Sequence, residues 1–131
     1  MRPPILIVLT AVAVAFLAHA SFAATRPGAV ITTKNGTVHV LKGARCTDGR
    51  LYFGAPVGRK GKSFGLILAP FRLGRTTIID GFVGLHPADA DLGLSGRAYV
   101  NPDGKSGRFD VRASIGAHFT GQRYTGTWRC A

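Results

Sequence analysis

The side chains able to do chemistry are few, and the densest group is His86-Pro87-Ala88-Asp89-Ala90-Asp91. An imidazole followed at short range by two carboxylates could hold a hard or borderline metal ion, or serve as an acid–base set. The group lacks the fixed second histidine of zinc motifs and reads equally as a polar turn, so no metal site is expected. His39 lies between Val38 and Val40 and reads as an exposed or hydrogen-bonded strand residue. No serine occupies a Gly-x-Ser-x-Gly turn, since Gly93-Leu94-Ser95-Gly96 has the wrong spacing. Glycine is abundant, yet no phosphate loop or dinucleotide fingerprint precedes a helical pattern. The expectation is a protein with no catalytic residues and no cofactor. A metal-dependent or hydrolytic enzyme using His86, Asp89 and Asp91 is the least favoured alternative.

What remains is electrostatic chemistry. The chain carries 17 Lys and Arg against 6 acids, all of them aspartates, for a formal charge of +11. From Arg26 to Ile79 ten basic residues face the single acid Asp48, whereas from Asp80 onward six face five. Such a field favours anionic partners: lipid phosphates, acidic polysaccharide or an acidic protein face. The best candidate site is the loop tip Arg59-Lys60-Gly61-Lys62, where three cations reach outward at little strain. Arg45, Arg50, Arg72 and Arg75 would extend it if the neighbouring turns share one end of the fold. The alternative is a solvated hairpin tip. Tyr52 and Phe53 could add stacking, but adjacent strand residues face opposite ways, so one of them belongs to the core.

The N-terminus bears on the setting of that chemistry. Arg2 precedes an apolar run from Ile5 to Ala18, followed by Ala18-His19-Ala20 and Ala23-Ala24. This is the three-part pattern of a secretory signal peptide over residues 1–24, cleaved after Ala20 or Ala24. Its apolar run falls short of a bilayer span, so no transmembrane span is expected after cleavage. The expected setting is extracytoplasmic, periplasmic or secreted, which makes nucleic acid a disfavoured partner. Cys46 and Cys130 are the only cysteines. An oxidising compartment predicts that they pair, with two free thiols or an intermolecular bridge as the alternative.

The elements that must position these groups are strands. Ala29–Thr33 and Thr37–Leu41 flank Lys34-Asn35-Gly36, where Asn-Gly predicts a hairpin with a type I′ turn. Asn35-Gly36-Thr37 is also a glycosylation sequon, which the turn explains without a modification. Asp48-Gly49 predicts a second turn, with Cys46 at a strand end. Further strands are expected over 63–69 and 76–86, with a turn over 87–91. Leu92 to Val100, Phe109 to Ile115 and Tyr124 to Cys130 each alternate apolar and polar residues, and Asn101-Pro102-Asp103-Gly104 suits a type I turn. Gly126-Thr127-Trp128 resembles the Gly-x-Trp motif of the lipocalin first strand, but it stands at the chain's end. No family is assigned on three residues, and Trp128 is expected in the core near the bridge.

Residues 25–131 are therefore expected to form one all-β, disulfide-stapled domain: an antiparallel meander of about eight strands, closed into a barrel. A two-sheet sandwich is the alternative. Its expected role is a non-catalytic binding module for an anionic envelope component or a partner protein. The alternative of a different class is a proteinaceous inhibitor of an extracytoplasmic hydrolase.

Overall fold

From Thr25 onward, glycines and prolines cut the sequence into short alternating runs, and those runs become strands. A computed structural model describes residues 24–56, 59–89 and 92–131. Except for Ala24, the expected leader lies outside the described residues. The strands are β1 (Gly28–Thr33), β2 (Val38–Lys42), β3 (Ala44–Thr47), β4 (Arg50–Gly54), β5 (Ser63–Leu68), β6 (Gly74–Gly84), β7 (Gly93–Val100), β8 (Ser106–Ile115) and β9 (His118–Arg129). A 3-10 turn at Pro87–Asp89 sits between β6 and β7.

All nine strands join one antiparallel sheet in the order β2-β1-β9-β8-β7-β6-β5-β4-β3. Its two margins, β2 and β3, are consecutive in the chain and separated only by Gly43. One residue spans roughly 3.5 Å, so the margins must meet and the sheet must curl into a nearly closed barrel. Gly43 ties the seam from both sides: its N–H donates to Pro27 O at 3.0 Å, and its carbonyl accepts from Gly54 N at 3.3 Å. Its φ of 90° bends the strand there, where a side chain would be strained. β2 and β3 thus act as one kinked strand, paired first with β1 and then with β4. Nine strands realise the expectation of about eight, and β3, a four-residue run with half its positions exposed, is the short strand that carries Cys46 into the Asp48-Gly49 turn.

The cysteine pairing is realised as Cys46–Cys130, with Cα atoms 6.1 Å apart. It links the margin strand β3 to the residue following β9, and such a bond is compatible with an oxidising compartment. Among the described residues no helix is long and apolar enough to cross a membrane.

Two turns differ in type. Asp48 and Gly49 both have positive φ (49° and 81°), and Thr47 pairs with Arg50, which makes a two-residue I′ turn. At the first hairpin only Gly36 has positive φ (89°), which corrects the type I′ expectation there. Gly36 N donates to Thr33 O and Thr33 N to Thr37 O, the longer loop built on a type I turn. The Asn35 side chain drives this choice by accepting from Thr37 N at 3.1 Å and from the Thr33 hydroxyl.

The inner face of the barrel is filled. Trp128, Phe53, Phe64, Ile31 and Leu51 are among its largest fully buried side chains. Phe64 of β5 meets Phe109 of β8 at 5.2 Å and Tyr124 of β9 at 6.1 Å between ring centroids, contacts across the interior between strands that are not sheet neighbours. Each fully buried side chain of this size contributes about 1.5–3 kcal/mol by leaving water.

Candidate functional site

Antiparallel hairpins alternate between the two ends of a barrel, and this alone sorts the expected cations. The β4–β5 connection, with Arg59, Lys60 and Lys62, shares its end with the β1–β2, β6–β7 and β8–β9 connections. Arg72 lies on the β5–β6 connection at the opposite end, and Arg50 and Arg75 stand on strand residues near that end. Arg45 lies on β3 opposite Tyr52. All seven are exposed. Arg50, Arg72 and Arg75 therefore form a separate group from the loop tip, and Arg72 Nε donates to Arg75 O at 3.0 Å.

Arg45 does come close to the loop. A groove of about 580 Å³ on the outer wall of β3 and β4 is lined by Arg45, Tyr52, Phe82, Ala55 and Pro56, the last two opening the basic loop. Tyr52 and Phe82 stack with ring centroids 5.6 Å apart, and the Phe82 ring lies over Gly65, where a Cβ would meet it at 2.2 Å. Phe53, the neighbour of Tyr52, is buried. This is the division expected from strand alternation.

Lys62, though exposed, reaches back to a strand residue. Its ammonium lies 3.2 Å from His39 Nδ1, and because Lys can only donate, that nitrogen accepts. The proton of the neutral imidazole then sits on Nε2, which is buried and has no partner among the described residues. Strand β2 places His39 inside and Val38 and Val40 outside, so His39 is hydrogen-bonded, as one reading of it held, but buried rather than exposed. Burial, and then the Lys62 charge, hold its pKa below the ordinary imidazole value.

His86 meets the His39 ring edge-on at 5.6 Å. Asp89 is buried, and its Oδ2 accepts from Leu85 N (3.0 Å) and His86 N (2.8 Å). The carboxylate thus closes the 3-10 turn, which is what a polar turn needs. Asp91, the third residue of that group, lies outside the described residues. His86 and Asp89 line a cavity of about 570 Å³ together with Lys34, Gln122, Arg123 and Tyr124. The Tyr124 hydroxyl donates to Gln122 Oε1 at 2.7 Å, and burial followed by the Asp89 charge raises its pKa. Among the described residues no three His, Cys, Asp or Glu side chains converge as a metal-binding group.

A second set of cations goes unnoticed when charge is counted along the chain. Arg97 of β7, Arg108 and Arg112 of β8 and Arg123 of β9 occupy the outward positions of their strands and are exposed. Their signal was present in the alternation of polar and apolar residues, but the five aspartates after Ile79 offset them in any sum. Register decides which acids reach them, and among the described residues only Asp110 does so, through Arg123. Among the described residues Arg123–Asp110 and Arg129–Asp103 are the only ion pairs. No protein-family model, characterised protein or solved structure matches the chain.

Proposed function

We propose that the chain is an exported, non-catalytic binding module for an anionic ligand, held at the groove beside the β4–β5 loop. The observation that carries this reading is the groove itself: a stacked Tyr52–Phe82 floor, Arg45 on its wall, and Ala55 and Pro56, which open the loop of Arg59 and Lys60, on its lining. Aromatic faces take up the apolar body of a ligand while cations hold its charge. The disulfide and the leader-like N-terminus support an extracytoplasmic setting, periplasmic or secreted.

The test is binding of the bridged protein to a galacturonate hexamer and to phosphatidylglycerol vesicles over a range of salt. An Arg59→Gln/Lys60→Gln variant is expected to flatten the salt dependence by about two charges. Tyr52→Ala is expected to weaken binding while leaving that slope unchanged. Equal binding by wild type and both variants would reject the groove. A single protein retained from envelope extracts at high salt, with no binding to either probe, would favour the inhibitor reading instead.

A further inference from the structure

We infer that the opposite wall of the barrel carries a second binding site, for a carboxylate-bearing carbohydrate chain, built by a bulge in β9. It shares the anion-binding reading above but none of its residues. In the ring of nine strands, β8 lies four strands from β4, so the two surfaces face away from each other.

The site follows from register. Arg112 pairs with Arg123, while Ser114 pairs with Phe119, so two steps along β8 match four along β9. The surplus residues form a bulge: the Thr120 hydroxyl donates to Ala113 O and accepts from Gln122 N, both at 3.2 Å. Bulges bend a strand and re-aim its side chains. Here the bend leaves Phe119 63% exposed on the same outward face as the arginines. Two adjoining hollows result, of about 340 and 300 Å³, which share Arg112, Phe119 and Arg123. Lys34 closes one of them, and Arg97 and Asp110 line the other.

Four cations therefore face one carboxylate, and that carboxylate is already engaged by Arg123 through Nε and Nη2. Arg112 and Arg123 stand directly opposite each other, a like-charge pairing that costs a sheet stability. An anion lying between them would offset that repulsion. Guanidinium groups match carboxylates as planar forks. The exposed Phe119 ring offers a π-face to the C–H face of a sugar, a contact that a bare phosphate or a lone carboxylate would not use. Arg112 and Arg123 stand one strand spacing apart, about 4.8 Å, and Arg97, whose own partner is Asp110, lies a diagonal step away on β7, so the three cross adjoining strands as an extended strip suited to a chain of acidic units. Tyr99, with Arg108 stacked on it at 4.5 Å, continues the same wall.

The consequence is bivalency: one barrel would hold two acidic chains at once. Titration calorimetry with the galacturonate hexamer reads this directly. Wild type is expected to bind two hexamers per chain, and Arg97→Gln/Arg112→Gln to lose one of them by about tenfold or more in affinity. Phe119→Ala is expected to weaken that same site without altering its salt slope, and Phe119→Trp to restore it. The Arg59→Gln/Lys60→Gln variant is expected to keep the wall site and lose the other. One hexamer per chain, abolished by the loop variant and untouched by Arg97→Gln/Arg112→Gln, would overturn the wall site and leave the groove standing. One hexamer with the opposite pattern would leave the wall standing and remove the groove. No saccharide binding, or binding to anionic vesicles alone, would overturn the wall site. So would equal losses in all charge variants together with indifference to Phe119.

Discussion

His39 shows how one buried polar atom sets a response to pH. Its Nδ1 accepts from Lys62, its Nε2 proton has no partner among the described residues, and the groups facing it are Lys62, His86 and Asp89. Because its folded pKa lies below the unfolded value of 6.5, the unfolded chain binds a proton more readily. The folded state thus suffers no penalty above that value and loses stability as pH falls below it, until the folded pKa is passed. His39→Leu is expected to abolish this acid decline in urea midpoints between about pH 7 and 5, and to be neutral or about 1 kcal/mol stabilising at neutral pH. An unchanged decline would show that His39 is not its source. Gly107 is one of the glycines that leave no room for a side chain, since a Cβ there would meet Tyr99 O at 2.1 Å and the Trp128 ring at 2.8 Å. Gly107→Ala is expected to cost about 1–3 kcal/mol in chemical denaturation, and a smaller loss would show that the Trp128 ring can move aside.

At the scale of elements, the seam and the bulge carry the argument. Gly43 joins the sheet margins at a φ of 90°, so Gly43→Ala is expected to cost about 1–2 kcal/mol. Hydrogen exchange should then quicken first in β2 and β3, the strands with a neighbour on one side only. Uniform quickening throughout the sheet would mean that the seam opens only with global unfolding. β7, β8 and β9 were legible in the sequence because each has one apolar face and one polar face. β3 was legible only through the Asp48-Gly49 turn, which sets Cys46 at a strand end, because Ala44-Arg45-Cys46-Thr47 is too short and too polar to show a period. The β9 bulge also escaped, since nothing in Thr120-Gly121-Gln122 specifies a pairing register before β8 lies beside it.

For the whole molecule the bridge and the charge matter most. Cys46–Cys130 closes a separation of 84 residues, and the chain-entropy account assigns such a loop about 4 to 5 kcal/mol. A Cys46→Ser/Cys130→Ser chain is expected to lose that amount in guanidinium unfolding, with the slope raised if its denatured state expands. A loss below about 1 kcal/mol would mean that the Gly43 ladder holds the seam alone. The net charge of +11 forecasts attraction to polyanions in general, but the fold distributes that charge over separate surfaces.

By itself the sequence determined the all-β class, the pairing of its two cysteines, the identity of the core face in its last three strands, and the excess of positive charge. These are properties of composition and of short-range alternation, which need no knowledge of neighbours. Only the tertiary structure decided that Arg50, Arg72 and Arg75 leave the basic loop, that Arg45 and Tyr52 stay with it, and that four cations gather around Phe119. It also decided that His39 is buried. Those outcomes depend on strand register and on which end of the barrel each connection occupies, and both are settled when the sheet closes on Gly43.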